Sequence, residues 1–378
     1  MGFLMTVLLI WGSMHLYVWL RVTLYAGLPA RWSVPLAGAM LILMAAPIGG
    51  IMLGRAGNEW PGRAVALVGM TWAGLLFLFF SVSLAHDAYN ALTALVGLAV
   101  PPVRSLCLLG PGPVLASAVL VAAAGLYSVF EANRVAAEHV RIETAKLPPD
   151  LDRLRIVQIT DVHLGLSVGE RSLRRIARLA REAAPDLLVS TGDLTDAELT
   201  SPVEWARMLA EVPAPLGKYA VTGNHEYYGD LAAALAFTRA AGFTLLSNEA
   251  VQVRPGLSVV GFDDETALRM GQKEPWDEAA VLGQVNQSDF VLVLKHRPPT
   301  RPESAPLMDL QLSGHTHRGQ IFPFTLIIAA HYEYAHGLVE VAPGRHLYTS
   351  RGTGVWGPPM RFLNPPEVTV IDVVRREG

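Results

Sequence analysis

The stretch LRIVQITDVH, residues 154–163, joins an apolar run to an aspartate and a histidine that stand one residue apart. The run Leu154–Ile159 predicts a buried strand that ends at the Thr160-Asp161 turn. Side chains at positions i and i+2 of an extended segment point the same way, so Asp161 and His163 can reach one metal ion together. The stretch therefore predicts a metal site at the end of a strand.

Four further polar segments follow, and nearly every one comes directly after apolar residues. They are Gly192-Asp193, Gly223-Asn224-His225-Glu226, Lys295-His296 and Gly314-His315-Thr316-His317. Each alone has an ordinary interpretation, since Asp193 could cap a helix and Gly223-Asn224 could form a turn. All five segments together supply carboxylate, amide and imidazole donors, which favours a site for two divalent metals.

The five segments, in this order, resemble the motifs of the calcineurin-like metallophosphoesterases. The resemblance runs from about Ala136 to the C-terminus and includes Arg351-Gly352 and the stretch from Arg361 to Glu367. It implies a four-layer αββα sandwich with the metals at one edge of the two sheets. It also implies phosphoester hydrolysis, in which two metals activate water and stabilise in-line displacement.

Donor chemistry assigns metal ligands within this scheme. Asp161 and His163 reach the first metal, and the two oxygens of the Asp193 carboxylate can bridge both metals. His317, at i+2 from its neighbour His315, returns to the first metal. The second metal takes the remaining donors, which are Asn224, His296 and His315. These mixed nitrogen and oxygen ligands suit Mn²⁺, which we expect, or Fe²⁺ or Zn²⁺, better than Ca²⁺.

The resemblance also carries a role to His225, which would stand near the leaving-group oxygen as general acid or transition-state stabiliser. The alternative is a structural histidine that hydrogen-bonds a neighbouring loop. Glu226 is expected to be a structural partner. Four arginines are candidate phosphate-binding residues: Arg297, Arg318, Arg351 and Arg361.

Residues 1–134 differ in composition from the rest of the chain. They contain no lysine, six arginines, three acidic residues and five of the eight tryptophans. Four uncharged windows each reach the roughly 18–20 residues that cross a bilayer; they are 1–20, 32–54, 64–86 and 105–130. Ala88–Val103 is also uncharged, but Pro101-Pro102 interrupt it and favour an interfacial or re-entrant piece. We predict a transmembrane region of four helices over 1–134 and a catalytic domain over 135–378.

The orientation follows from lysine and arginine in the short loops. With four spans, five such residues lie on the side of the catalytic domain: Arg55, Arg63, Arg134, Arg141 and Lys146. Three lie on the other side: Arg21, Arg31 and Arg104. This bias predicts a multi-pass protein of the bacterial inner membrane with a cytoplasmic catalytic domain.

The sequence of residues 135–378 predicts alternating strands and helices in its first part and mainly strands in its last part. This pattern is typical of two packed sheets with flanking helices. The predicted helices are Ser172–Ala184, Pro202–Glu211 and Asp230–Ala241. Besides Leu154–Ile159, the predicted strands are His139–Ala145, Leu187–Ser190, Tyr219–Val221, Leu257–Val260, Phe290–Leu294, Leu310–Leu312, Leu347–Ser350 and Val368–Val374. The apolar run Ile321–Ala330 is interpreted first as a core strand, and otherwise as a surface for an acyl chain beside the last metal motif.

Charge and tethering narrow the substrate class. Residues 1–134 hold six basic and three acidic residues, and the remainder holds 24 basic and 30 acidic residues. The acidic second half argues against general nucleic-acid binding. A membrane tether raises effective concentration only toward a target at the membrane. We therefore expect membrane lipids as partners and a lipid or lipid-linked phosphate or pyrophosphate as substrate.

The arrangement of several N-terminal helices before this domain resembles bacterial transmembrane metallophosphoesterases. Their relatives include UDP-2,3-diacylglucosamine pyrophosphohydrolases of lipid A synthesis, and that substrate is our first expectation. A general phosphodiesterase for phospholipids or nucleotides is the second. A non-catalytic membrane sensor and a transporter are the alternatives from other classes; a sensor would be expected to have lost ligands, and a transporter to carry ionisable residues within its spans.

Overall fold

The computed structural model describes residues 2–196 and 202–376. The chain divides into two units, one made of residues 1–130 and 357–362 and the other of residues 131–356 and 363–378. Four long helices dominate the N-terminal part: α1 Gly2–Tyr25, α2 Ala30–Arg55, α3 Glu59–Val96 and α4 Pro111–Ala132. All four are long and apolar enough to cross a membrane, as predicted.

The end of α3 differs from the prediction. Residues 88–96 continue this helix, so a separate interfacial piece over Ala88–Val103 was wrong for its first half. A 3₁₀ helix, Pro101–Leu106, follows. No proline interrupts residues 88–96, and the Asn90 side chain joins this part of α3 to the segment after the 3₁₀ helix, since it donates to the Leu108 carbonyl at 3.0 Å and accepts from the Leu108 N–H at 2.8 Å. The proline pair interrupts the chain only after the helix has ended.

Small residues bring α2 and α3 together. A Cβ on Gly62 would lie 2.5 Å from the Gly54 nitrogen, and a Cβ on Gly50 would lie 2.4 Å from the Ala66 nitrogen. Backbones can approach this closely only where side chains are absent, the usual device of helix pairs in membranes. Between α1 and α3, the buried Arg21 side chain forms an ion pair with Asp87. The first unit therefore combines glycine-mediated packing with an ion pair near the ends of the predicted windows.

The second unit contains two six-stranded mixed sheets. The strands are β1 Ala136–Thr144, β2 Arg153–Ile159, β3 Leu187–Thr191, β4 Lys218–Val221, β5 Thr244–Leu245, β6 Glu249–Arg254, β7 Leu257–Gly261, β8 Phe290–Leu294, β9 Leu310–Ser313, β10 Gly337–Ala342, β11 Arg345–Thr349 and β12 Glu367–Arg375. The first sheet has the order β1-β12-β2-β3-β4-β5, and the second β10-β11-β9-β8-β7-β6. Every predicted strand is present except Ile321–Ala330. The strands that are present differ from the prediction only at their ends.

Helices cover the sheets. They are α5 Glu170–Glu182, α6 Pro202–Ala210, α7 Asn224–Tyr228, α8 Leu231–Ala240, α9 Thr266–Arg269, α10 Glu278–Leu282 and α11 Phe324–His331. Apolar residues of α5, α6 and α8 pack on the outer face of the first sheet. A second apolar cluster fills the space between the sheets, and a third joins α10 to the outer face of the second sheet. This confirms the four-layer αββα class.

The strand predicted at Ile321–Ala330 is wrong. After the buried Ile321 the chain forms α11, and none of the helix's residues is buried. The apolar run suggested a core position because burial is the usual fate of such residues. In the structure most of these side chains are exposed, beside the loop that carries His315 and His317.

Candidate metal centre

The loops that follow five strands meet at one edge of the two sheets. β2, β3 and β4 are parallel neighbours, so their C-terminal ends lie side by side. β8 and β9 are parallel neighbours in the other sheet. Each predicted ligand follows one of these strands directly: Asp161 and His163, Asp193, Asn224, His296, and His315 and His317. Parallel pairing therefore delivers seven donors from distant parts of the chain to one place.

The first group of donors surrounds His163 and His317. Their Nε2 atoms lie 3.0 Å apart, and Asp161 Oδ1 lies 3.4 Å from His317 Nε2. Ligand atoms of Asp161, His163 and His317 all fall within 4.8 Å of one another. Two ring nitrogens that face each other need a cation or a proton between them, because lone pairs repel. This geometry fits a shared metal ion.

The second group surrounds His296. Its Nε2 atom lies 3.2 Å from Asn224 Oδ1, 3.2 Å from His315 Nδ1 and 3.2 Å from Asp193 Oδ2. The same Asp193 oxygen lies 3.8 Å from His163 Nε2 in the first group. One carboxylate thus faces both groups, as a bridging ligand must. The structure brings all seven predicted ligands together, and their donor chemistry fits two divalent metals.

The backbone at these ligands is unusual. Ten described non-glycine residues have a positive φ, and five of them are predicted ligands: Asp161, His163, Asp193, His315 and His317. Each such residue costs of order 1–3 kcal/mol, and such residues cluster at functional sites. Left-handed backbone therefore occurs at five of the seven predicted ligands, in the turns that follow the strands.

Glycines in the motifs allow the loops to approach the carboxylates. A Cβ on Gly223 would lie 2.2 Å from Asp193 Oδ1, and a Cβ on Gly314 would lie 2.1 Å from Asp161 Oδ2. Neither distance is possible for real atoms. The glycines before Asn224 and His315 are therefore required by the close packing of the ligand loops.

Glu226 holds the loop that carries Asp193. Its carboxylate accepts hydrogen bonds from four backbone N–H groups: Asp193 at 3.0 Å, Leu194 at 2.8 Å, Thr195 at 3.3 Å and Gly223 at 2.7 Å. This is the structural partner expected from the sequence. The bonds tie the turns after β3 and β4 to each other.

The protein groups alone create a strongly cation-attracting field. Burial lowers the pKa of His163, but Asp196, Asp193 and Asp161 outweigh it and raise this pKa to about 9. Burial is likewise outweighed at His296, where Asp193 and Asp161 raise the pKa to about 10. A metal can take the place of these protons. Burial, with the charges of His296 and Arg297, lowers the pKa of His315 to about 3, which leaves its ring neutral and able to bind metal.

Asp196 is a site residue that the sequence analysis missed. One of its oxygens, Oδ1, lies 2.9 Å from His163 Nδ1 and 2.9 Å from His225 Nδ1. Each Nδ1–H donates to this carboxylate, which leaves both Nε2 atoms free to face the centre. Its position three residues after Asp193 was the only signal in the sequence. The structure thus gives His225 a partner that fixes its orientation.

The four candidate arginines have different surroundings. Arg297 donates to Asp264 at 2.8 Å and lies 2.8 Å from the Nε2 atom of His315, so it packs against a predicted ligand. Arg351 pairs with Glu367 and Glu138. Arg318 follows His317 in the chain and is half-buried. Arg361 belongs to the first unit, where it is fully buried. The geometry favours a positioning role for Arg297.

Aromatic side chains flank the donors on the exposed side. The Tyr228 and Trp356 rings lie 5.5 and 5.9 Å from the His225 ring, and both residues are more than half exposed. Gln320 holds Trp356 in place through hydrogen bonds to both its backbone N–H and its carbonyl, each 2.9 Å long. Tyr332 Oη lies 3.2 Å from His315 Nε2. The surroundings of His225 are therefore amphipathic rather than uniformly polar.

The chain has clear similarity to known proteins. The calcineurin-like phosphoesterase profile matches residues 154–319. An uncharacterized metallophosphoesterase of Aquifex aeolicus is 40% identical over 251 residues, which cover 66% of this chain and 95% of that protein. A transmembrane protein with metallophosphoesterase domain from Danio rerio is 33% identical over 243 residues, covering 61% of this chain and 56% of that protein. All seven predicted ligands lie within the matched range, residues 154–319.

Among solved structures, a dimetal phosphatase from Danio rerio is similar at a TM-score of 0.33, with 14% sequence identity. The similarity covers 53% of this chain and 87% of that one.

Proposed function

Because the chain belongs to the calcineurin-like metallophosphoesterase family, a family of metal-dependent phosphoester hydrolases, we propose that it hydrolyses a lipid or lipid-linked phosphate or pyrophosphate at a membrane. The substrate class rests on the presence, in one chain, of four apolar helices and of a predicted metal site with exposed aromatic side chains beside His225. Cytoplasmic placement of the catalytic unit belongs to the same proposal and is supported by the loop bias of five basic residues against three.

The residues divide the chemical work. Asp161, His163, Asp193, Asn224, His296, His315 and His317 would hold two divalent metals, with Mn²⁺ expected and Fe²⁺ or Zn²⁺ as alternatives. When bound, two such metals activate water and neutralise charge on the phosphoryl oxygens. The field of the buried carboxylates, which raises the pKa of both His163 and His296, favours cations in this place. Such a centre attracts an anionic phosphoester.

His225 would assist the leaving group. Its Nδ1–H is held by Asp196 at 2.9 Å, so its Nε2 atom is the one that can donate a proton to the departing oxygen. Tyr228 and Trp356 both lie edge-to-face with this ring and would contact the group that leaves. A leaving group with apolar or planar surface fits these contacts better than a small polar alcohol.

UDP-2,3-diacylglucosamine remains the first substrate to test, and a phospholipid or nucleotide phosphodiester the second. The purified full-length protein, supplied with Mn²⁺, should be assayed on a panel of phosphomonoesters, phosphodiesters and UDP-2,3-diacylglucosamine. Each lipid should be compared with its deacylated form. Burying five methylenes at roughly 0.8 kcal/mol each would give ~4 kcal/mol, near a thousandfold in kcat/KM.

The two parts of the proposal fail separately. Equal kcat/KM for acylated and deacylated forms would remove the lipid substrate and leave a general phosphodiesterase with a membrane anchor. Absence of hydrolysis across the panel with metal bound would favour a sensor that uses the domain for binding. Reporter fusions at the C-terminus test sidedness, and a periplasmic C-terminus would exclude a UDP-linked substrate made in the cytoplasm.

A further inference from the structure

Helix α11 exposes an apolar surface that the catalytic unit leaves uncovered. Between Phe324 and Ala330 its only polar side chain is Thr325, and no residue of the helix is buried. Leu326 is 62% exposed and Ile327 57% exposed. Phe322, just before the helix, is 39% exposed. Contiguous exposed apolar side chains of this kind mark a contact surface.

The shape of this surface is convex. At about 100° per residue, Thr325 and Ile328 share the half-buried side of the helix, and the exposed residues Phe324, Leu326 and Ile327 are spread around the rest. The backbone at Thr325 lies against Gly319, where an added Cβ would come within 2.7 Å of the Thr325 nitrogen. A helix held along one narrow side leaves its other apolar side chains directed away from the protein. It can enter a broad apolar phase.

The charge pattern around α11 suits a phospholipid surface. No aspartate or glutamate occurs from Leu310 to Tyr332, although Glu333 follows directly; the bases of this range outside the predicted ligands are Arg318 and His331. Anionic headgroups would repel carboxylates and attract these bases. Tyr332, directly after the helix, is an amphipathic side chain of the kind that lies at headgroup depth. Four helices able to cross a membrane in the same chain keep such a surface within reach.

We propose that α11 inserts its Phe324, Leu326 and Ile327 side chains into the boundary between headgroups and acyl chains of the bilayer. This inference rests on the membrane placement in the proposed function and not on the identity of the substrate. The consequence for catalysis follows from Tyr332, which contacts His315 at 3.2 Å. A helix anchored in lipid would hold the entrance of the metal site at the membrane surface, where a lipid phosphate is presented.

Depth-dependent quenching tests the insertion. Full-length Cys107→Ser protein receives Leu326→Cys, is labelled with bimane and is placed in nanodiscs of ordinary or brominated phosphatidylcholine. Interfacial helices enter the bilayer by about 5–10 Å, so the label should lose about half its fluorescence in brominated lipid. The matched control is Val203→Cys on α6, which is 81% exposed and should change little. If Leu326→Cys does not fold, Ile327→Cys replaces it.

Unchanged Leu326→Cys fluorescence in brominated lipid would overturn the proposal. So would disulfide crosslinking of Leu326→Cys between two copies, since the helix would then cover a second chain instead of lipid. Mn²⁺-dependent hydrolysis of bis-p-nitrophenyl phosphate by the labelled protein shows that the fold is intact. If the unlabelled Cys107→Ser protein also fails to hydrolyse this substrate, the proposed function is contradicted. The quenching result would still decide whether α11 inserts into the bilayer.

Discussion

Asp193 illustrates how one side chain can organise the whole site. The residue is 2% exposed, and its Oδ1 atom accepts a hydrogen bond from the His225 N–H at 2.8 Å. Its Oδ2 atom faces His296 in one donor group and His163 in the other. The missing Cβ of Gly223 provides the space for this carboxylate. Removing any of these features would disturb both predicted metals at once.

Two neighbouring residues should separate binding from catalysis. Asn224→Ala removes an oxygen that lies 3.2 Å from His296 Nε2 and should lose one metal. His225→Ala should retain both metals and lower kcat by about 10²–10⁴-fold, the usual effect of a missing general acid. Metal analysis by mass spectrometry, run beside single-turnover assays, measures both effects. Two full-occupancy metals in Asn224→Ala would show that this residue is not a ligand.

Asp196→Asn tests the residue that sequence reasoning missed. The amide cannot accept as strongly from the two Nδ1–H groups, so His163 and His225 lose their fixed orientation. We expect metal affinity to fall by about 10–100-fold, and kcat to fall even at saturating metal. Asp289→Asn is the matched control, because this buried carboxylate bonds Ser258 and Gln252 and none of the ligands. If kcat of Asp196→Asn equals that of the control Asp289→Asn, Asp196 has no role in the site.

The raised histidine pKa values predict an unusual pH dependence of stability. With its pKa raised to about 9 from 6.5, His163 stabilises chelator-treated protein below about pH 6.5, and this contribution is lost as pH rises through about 9. His296 acts in the same direction through about 10. The Tm of chelated protein should therefore fall between about pH 7 and about pH 10. Added Mn²⁺ should raise Tm by more at the alkaline end, since protons no longer compete. A Tm of chelated protein that rises over this range would contradict the assignment.

At the scale of elements, the strand ends were predictable and the surroundings of the site were not. Short apolar runs followed by Asp, Asn or His identify β2, β3 and β8 directly. Both a buried strand and the turn that ends it can be recognised from a few neighbouring residues in the sequence. Asp196 is a single carboxylate in a loop, and nothing local shows that it meets two histidines. The run Ile321–Ala330 misled for a related reason. Composition shows that a segment avoids water, but not whether protein or lipid covers it.

The α2–α3 pair offers a prediction at this scale. Gly62→Ala places a Cβ 2.5 Å from the Gly54 nitrogen, so the helices must separate, at a cost of about 1–3 kcal/mol. Gly38→Ala in α2 is the matched control, because nothing lies within 4 Å of its added Cβ. Thermal unfolding of both variants in detergent should show a lower Tm only for Gly62→Ala. Equal Tm values would mean that α2 and α3 do not pack through this glycine.

At the scale of the whole molecule, the chain joins four apolar helices to a phosphoesterase unit. The two parts were separable in the sequence, since lysine is absent from residues 1–134 and the motifs all lie beyond residue 160. The assignment of the site depends on the topology of the second unit, because only parallel neighbours such as β2, β3 and β4 bring distant motifs to one edge. Family and enzyme class follow from this agreement of motif order and fold. The substrate and the side of the membrane on which the catalytic unit lies cannot be read from the motifs or the fold. They depend on how the four helices place the chain in a bilayer.

Asp193 is expected to join two metals at the edge of the two sheets. Crystals of the full-length protein grown with Mn²⁺, measured at the manganese absorption edge, would locate each metal directly. We predict two anomalous peaks ~3.5–4 Å apart, with Asp161, His163 and His317 around one, Asn224, His296 and His315 around the other, and Asp193 touching both. A single peak, or a second peak beyond the reach of Asp193, would contradict the account.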